Sequence, residues 1–169
     1  MEGPNIYEWG PALWRIIHTF AERIGSPAPR LRGGDEYTFH RMEYEVWIRF
    51  MKSLAQSIPC NTCKKHFSEY MAQYPLETAI STGHGEERRR VVREWFWAFH
   101  NAVRDRKGQD RLISLEAIPY VYSSYNLEVI DQDSKMIITH MGRAAYFRVI
   151  SQSSIGDFTT ILYTLKSLY

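Results

Sequence analysis

Two cysteines, Cys60 and Cys63, are the only thiols in the 169 residues, and they stand as C-x-x-C within Ile58-Pro59-Cys60-Asn61-Thr62-Cys63-Lys64-Lys65-His66-Phe67. Three chemistries fit such a pair. A structural staple is the weakest, because a three-residue loop constrains little of a chain this long. Zinc would take Cys60, Cys63 and His66 or the distant His100, but zinc fingers and ribbons usually carry a second paired set of ligands. A reversible dithiol/disulfide is the third, and spacing alone does not separate it from zinc or chance.

The elements around the pair narrow the choice. Pro59 lacks an N–H and restricts the residue before it, so it ends an incoming helix. Cys63, Phe67, Tyr70 or Met71, and Tyr74 then recur at the spacing of one apolar helix face, up to Pro75. The C-x-x-C therefore opens a helix, where unpaired N–H groups and the positive dipole end favour a thiolate. A thioredoxin-like arrangement would need a βαβ pattern, and the flanking segments read as helices on both sides.

Upstream, Glu8 to Ala21 reads as a first helix with Pro11 in its first turn and Gly25 past its end. Leu13, Ile17, Phe20 and Ile24 form its core stripe, while Trp14 and His18, four apart, share a neighbouring face. Ser26 to Asp35 reads as a loop. Glu36 to Ser57 is a second helix with Phe39, Met42, Val46, Phe50 and Leu54 on one face. Tyr44, Trp47 and Met51 form a second strip, which fits either a partner chain or a helix buried on two sides.

Downstream of the dithiol, Pro75 to Gly85 reads as a loop and Glu86 to Lys107 as a helix, acidic at its start and basic at its end. Val92, Trp95, Phe96, Phe99 and Val103 face inward, and Arg88, Arg89, Arg90 and Arg93 read as a solvated face. Ser114 to Tyr125 reads as a short helix limited by Pro119. Beyond Asn126, Glu128-Val129-Ile130 and Met136-Ile137-Ile138-Thr139 flank a polar run and read as a hairpin. Ala144 to Ile150 is ambiguous between strand and helix. A last helix is expected from Asp157, as its cap, to Leu168, with Phe158, Ile161, Leu162 and Leu165 inward.

Composition bounds the function. With 44% hydrophobic and 24% charged residues the chain suits a globular fold, and 14% aromatics admit a planar ligand. A net charge of +2 gives no field to gather nucleic acid or an anionic membrane. Two cysteines do not make a secreted disulfide framework, and no apolar run approaches the ~18 residues of a membrane span. Met1 to Asn5 lacks the blocks of a signal peptide, so a soluble, reducing compartment is expected.

Three blocks in order resemble the Erv/ALR family of flavin-dependent sulfhydryl oxidases: W-G-x-x-x-W-x-x-x-H-T (Trp9, Gly10, Trp14, His18, Thr19), P-C-x-x-C (Pro59, Cys60, Cys63) and H-N-x-V (His100, Asn101, Val103). The resemblance spans Trp9 to about Tyr125. It implies an all-α fold, a four-helix bundle with a short fifth helix, cradling FAD beside the dithiol. It divides the chain into an oxidase domain, 1–125, and a C-terminal extension, 126–169, of no assigned role. By motif position, Trp14 and His18 would line the flavin and Cys63 would lie against its isoalloxazine. His100 and Asn101 would hold the adenosine side, Lys107 a phosphate, and Tyr120 would pack on the adenine. Gly10 and Val103 complete their motifs around the cofactor.

The chain also departs from the family pattern. Pro11 follows the glycine where relatives often carry a basic residue, and Arg104 stands for a second asparagine. Lys107-Gly108-Gln109 replaces Leu-Gly-Lys, with Arg104 and Arg106 supplying positive charge. Shuttle and stapling cysteines are absent, as in the minimal members encoded by large cytoplasmic DNA viruses. The resemblance thus implies protein thiol substrates, molecular oxygen as acceptor, hydrogen peroxide as product, a homodimer, no bound metal, and a place in the cytoplasm of an infected cell or the virion. A zinc-binding or interaction module with a structural C-x-x-C is the opposing reading.

Overall fold

The computed structural model describes residues 2–26 and 35–169, and among them every regular element is helical. Residues 27–34, most of the loop expected between Ser26 and Asp35, lie outside the described residues. Helix α1 runs Ile6–Ala21, α2 Glu36–Ser57, α3 Asn61–Gln73, α4 Leu76–Ser81 and α5 Gly85–Arg106. A 3-10 turn at Leu115–Ala117 leads into the short α6, Ile118–Tyr122. Helices α7, Leu127–Tyr146, and α8, Gln152–Leu168, complete the chain.

Helices α1, α2, α3 and α5 form the expected bundle, with α6 as the short fifth helix. Leu13, Ile17, Phe20 and Ile24 are buried, as are Phe39, Val46, Phe50 and Leu54 of α2 and Val92, Phe96 and Phe99 of α5. Met42 is exposed instead of inward. Helix α2 stops at Ser57, before Pro59, and α3 stops before Pro75. Gly25 takes φ +70° just past α1, and a Cβ there would stand 2.2 Å from the Gly85 carbonyl oxygen. Only glycine allows both the left-handed backbone and this approach of α1's end to the start of α5.

Several expectations are corrected. Helix α1 begins at Ile6 because the Asn5 side chain accepts the Tyr7 N–H, so Pro11 lies inside the helix and not in its first turn. Pro75 to Gly85 contains α4, which buries Leu76 and Ile80. The arginines of α5 are not a solvated face. Arg93 makes a bidentate pair with Glu22 at 2.7 and 2.8 Å, and Arg89 donates to the Ile24 carbonyl. Arg88 is buried beside Glu43, and only Arg90 of the four is largely exposed.

The tail differs most. Residues 127–146 form one helix, not a hairpin of strands, and Ile130, Ile137, Met141 and Ala144 face its core at helical spacing. The same face buries Asp133, Ser134 and His140, each with a partner: Arg15, the Ile130 carbonyl, and Glu8 with the Asn5 N–H. The ambiguous stretch after Ala144 ends α7 and turns through Arg148 at φ 58°. Helix α8 begins five residues before Asp157, capped by Ser151, and buries Phe158, Ile161, Leu162 and Leu165 as expected.

Helices α7 and α8 pack on α1 and α2 respectively, in one apolar cluster with the bundle. Each fully buried large side chain there contributes roughly 1.5–3 kcal/mol. Trp47 of the second α2 strip contacts Phe96 and hydrogen-bonds the Tyr169 hydroxyl, and Met51 is also buried. Glu43, 0% exposed, accepts from the Gly25 N–H and the Tyr169 hydroxyl, so the last residue is anchored in the core. Burial and the neighbouring Glu43 carboxylate push the Tyr169 phenol well above its ordinary pKa.

Candidate active site

The C-x-x-C opens α3 as expected, with Cys60 as its N-cap and a Cys60–Cys63 disulfide. The helix-terminal N–H of Cys63 donates to Cys60 Sγ at 3.2 Å. The N-cap position dictates this, because a capping side chain receives the N–H groups of the first turn.

Both cysteines line a cavity of about 360 Å³ between α1, α2, α3 and α5. Its walls are mostly apolar: Trp9, Leu13, Ile17, Leu54, Phe67 and Phe99, with Arg106 and Lys107 at one side. A second cavity, about 650 Å³, adjoins it, and Ile6, Gly10, Trp14, Val103 and Lys107 belong to both. Its lining adds Arg15, His100, Arg104 and Tyr122 and contains no carboxylate. Such volumes suit a ligand of cofactor size. A flat, uncharged ring fits the first chamber and an anion the second.

Aromatic contacts build the wall between the chambers. The rings of Trp14 and His100 stack 3.9 Å apart at 5°. Behind them His18 Nε2 and His100 Nδ1 lie 3.0 Å apart, and the His18 ring stacks on Tyr122 at 4.8 Å. One ring nitrogen must donate and the other accept, so the two rings cannot both be protonated while bonded. Burial lowers His18 to about 4. Burial, then His18, Arg104 and Lys107, lower His100 to about 3. Lys107 is also lowered, by burial and by Arg104, a like-charge strain that a bound anion would relieve.

The structure gathers most of the residues singled out from sequence. Gly10, Trp14, His100, Val103, Arg104 and Lys107 line the chambers with the dithiol, and His18 backs them. Two stand apart. Asn101 is buried, and its Oδ1 accepts the Leu112 N–H at 2.8 Å, which holds the segment after α5. Tyr120 is 89% exposed and lines neither chamber. Tyr122, two residues on, is the tyrosine against His18. Helical residues two apart differ in direction by about 200°, so the two tyrosines of this short helix cannot share a face.

Sequence reading also missed Arg15 and Trp9 as lining residues. A signal for Arg15 existed: it lies four residues after Pro11 on α1, and both line the second chamber. Among the buried nitrogens without a partner in the described residues are Trp9 Nε1, His18 Nδ1 and Asn101 Nδ2, all in or beside the site. Each such group costs about 1–3 kcal/mol. No group of three His, Cys, Asp or Glu placed to hold a metal occurs among the described residues. No helix among them is long and apolar enough to cross a membrane.

The chain matches the Erv1 / Alr family over residues 11–118. It is similar to an FAD-linked sulfhydryl oxidase of African swine fever virus from a Kenyan pig isolate, 28% identical over 123 residues, 73% of this chain and 87% of the relative. The corresponding FAD-linked sulfhydryl oxidase of a Namibian warthog isolate is 29% identical over the same shares. No solved structure matches the chain. With the family pattern covering most of its length and the dithiol set beside a two-chambered cavity, the chain belongs to the Erv1/Alr family.

Proposed function

We propose that this chain is a flavin-linked thiol oxidase that makes disulfides in protein thiols and disposes of the electrons to oxygen. The observation that carries the reading is the shared wall: the mostly apolar dithiol chamber has Trp14 and Lys107 in common with a cationic chamber beside it. FAD fits this pair. The apolar chamber would take its ring, with Trp9 in its lining. Arg104, Lys107 and His100 would hold the nucleotide half. When bound, FAD accepts two electrons from the reduced dithiol and passes them to O2, which leaves as hydrogen peroxide.

The chain's own part is thiol–disulfide exchange. A substrate thiolate attacks Cys60 Sγ; the new inter-protein S–S bond forms as the Cys60–Cys63 bond breaks, and Cys63 leaves as a thiolate. A second substrate thiolate attacks the substrate sulfur, releasing Cys60 as a thiolate and completing the substrate disulfide. Negative charge spreads along three sulfurs in each transfer. The N–H donated to Cys60 Sγ and the positive end of α3 act on it directly. Arg106 and Lys107, lining the same chamber, favour the thiolate of Cys63.

The absorption spectrum of the purified protein tests the reading. A yellow protein, bleached by a small dithiol under anaerobic conditions and recoloured by air with one peroxide per disulfide, is the expected result. A colourless protein carrying one zinc per chain would replace it with the structural reading of the C-x-x-C. Homodimerisation would have to use a face other than Trp47 and Met51, which the chain buries within itself. Light scattering at two concentrations measures it.

A further inference from the structure

Helix α7 reaches the cationic chamber. Asn126, Val129 and Ile130, at the start of α7, belong to its lining. One turn further along α7, Asp133 is buried and holds Arg15 of α1 in a bidentate pair, Oδ2 to Nε at 2.6 Å and Oδ1 to Nη2 at 3.0 Å. Arg15 lines the chamber with Arg104 and Lys107 and keeps 49% of its side chain exposed. Its third nitrogen, Nη1, has no hydrogen-bond partner among the described residues.

We propose that α7 is part of the cofactor site: Asp133 fixes Arg15 so that its free Nη1 edge binds the diphosphate of the flavin nucleotide. This rests on the flavin reading above. A free arginine loses rotamer entropy on being held against a phosphate, which the contact would have to overcome. The bidentate clamp removes most of that freedom before the ligand arrives, and a planar guanidinium held along one edge presents the other in a defined direction.

Asp133 also brings a negative charge near the phosphates, which by Coulomb's law weakens the attraction. If neutralisation dominates, removing the carboxylate charge tightens binding; if positioning dominates, it loosens binding. Asp133 is about 7% exposed and Arg15 is already paired, so the carboxylate is screened by its partner. Positioning is therefore the expected winner.

The test uses the full-length, flavin-loaded protein and follows FAD release by fluorescence on serial dilution, in a range of salt concentrations. Arg15→Met should raise the dissociation constant of FAD at least tenfold, since a hydrogen bond to a charged group contributes ~1.5–3 kcal/mol and 1.4 kcal/mol is tenfold. It should also flatten the salt dependence, because one ionic contact is gone. Arg15→Lys should recover part of both. Asp133→Asn, which keeps the shape, should weaken retention by a smaller factor. Arg15→Met that holds FAD like the parent, or loses it with an unchanged salt slope, overturns the phosphate contact. Asp133→Asn that retains FAD as well as the parent, or better, overturns the clamp. A parent protein with no flavin to release removes the thiol oxidase reading itself.

Discussion

The two chambers of the cavity are built for different tasks. At the dithiol end the walls are Leu13, Ile17, Leu54, Phe67 and Phe99, and the polar groups are two sulfurs, Thr62, His66 and the cations Arg106 and Lys107. At the other end Arg15, Arg104 and Lys107 converge beside a neutral pair of histidines. Electron transfer between a thiolate and a flat ring needs contact and exclusion of water. Holding a charged nucleotide needs fixed cations. Trp14, Gly10, Val103 and Lys107 serve both ends, so damage should separate into loss of turnover or loss of ligand according to which chamber it enters.

Cys63→Ser should separate the two most sharply. It deletes one sulfur from an interior contact and leaves every cation in place, so turnover with a dithiol should fall to background while the flavin content stays within experimental error of the parent. Retained oxidase activity in this variant would remove the electron path proposed here. Loss of flavin along with activity would show that the chambers are not functionally distinct.

The histidine pair yields a pH prediction at the cationic end. His18 and His100 sit at about 4 and about 3 in the folded chain, below the ordinary value near 6.5. Above about pH 7 both states are neutral and the pair adds no pH dependence. Below about 6.5 the unfolded chain binds protons that the folded chain refuses, so stability falls as pH falls, and the loss levels off near pH 3–4. Thermal midpoints at pH 8, 7, 5.5 and 4.5 should be flat between the first two and then decline. His100→Phe, which removes one titrating ring while preserving an aromatic face for Trp14, should decline less steeply.

The bundle was legible because its core faces are almost wholly apolar: Leu13, Ile17, Phe20 and Ile24, or Val92, Phe96 and Phe99, repeat without interruption. The dithiol end was legible for a related reason, since two lone cysteines after a helix-ending proline have few uses. Helix α7 was not. Its inward positions 133, 134 and 140 are Asp, Ser and His, and polar residues at core positions break the apolar period that marks a helix. Each is satisfied by a partner remote in sequence or by α7's own carbonyls, which no local pattern reveals. The same holds for Arg15, whose role depends on Asp133, 118 positions away.

The smallest expected effect concerns α6, where the tyrosine expected against the adenine and the tyrosine facing the chamber are two residues apart. Tyr122 lines the cationic chamber and stacks on His18, and burial raises its phenol above the ordinary value. Tyr120 points to solvent. An aromatic pair contributes about 0.5–1.5 kcal/mol beyond its burial, and 1.4 kcal/mol is a factor of ten. Tyr122→Ala should therefore weaken flavin retention up to about tenfold, and Tyr122→Phe, which keeps the ring, should weaken it much less. Tyr120→Ala should leave retention and turnover unchanged. Gel filtration followed by a flavin spectrum ranks the three variants. If Tyr120→Ala releases flavin and Tyr122→Ala does not, α6 must turn on binding, and the cationic chamber seen here would not be the one that closes on the ligand.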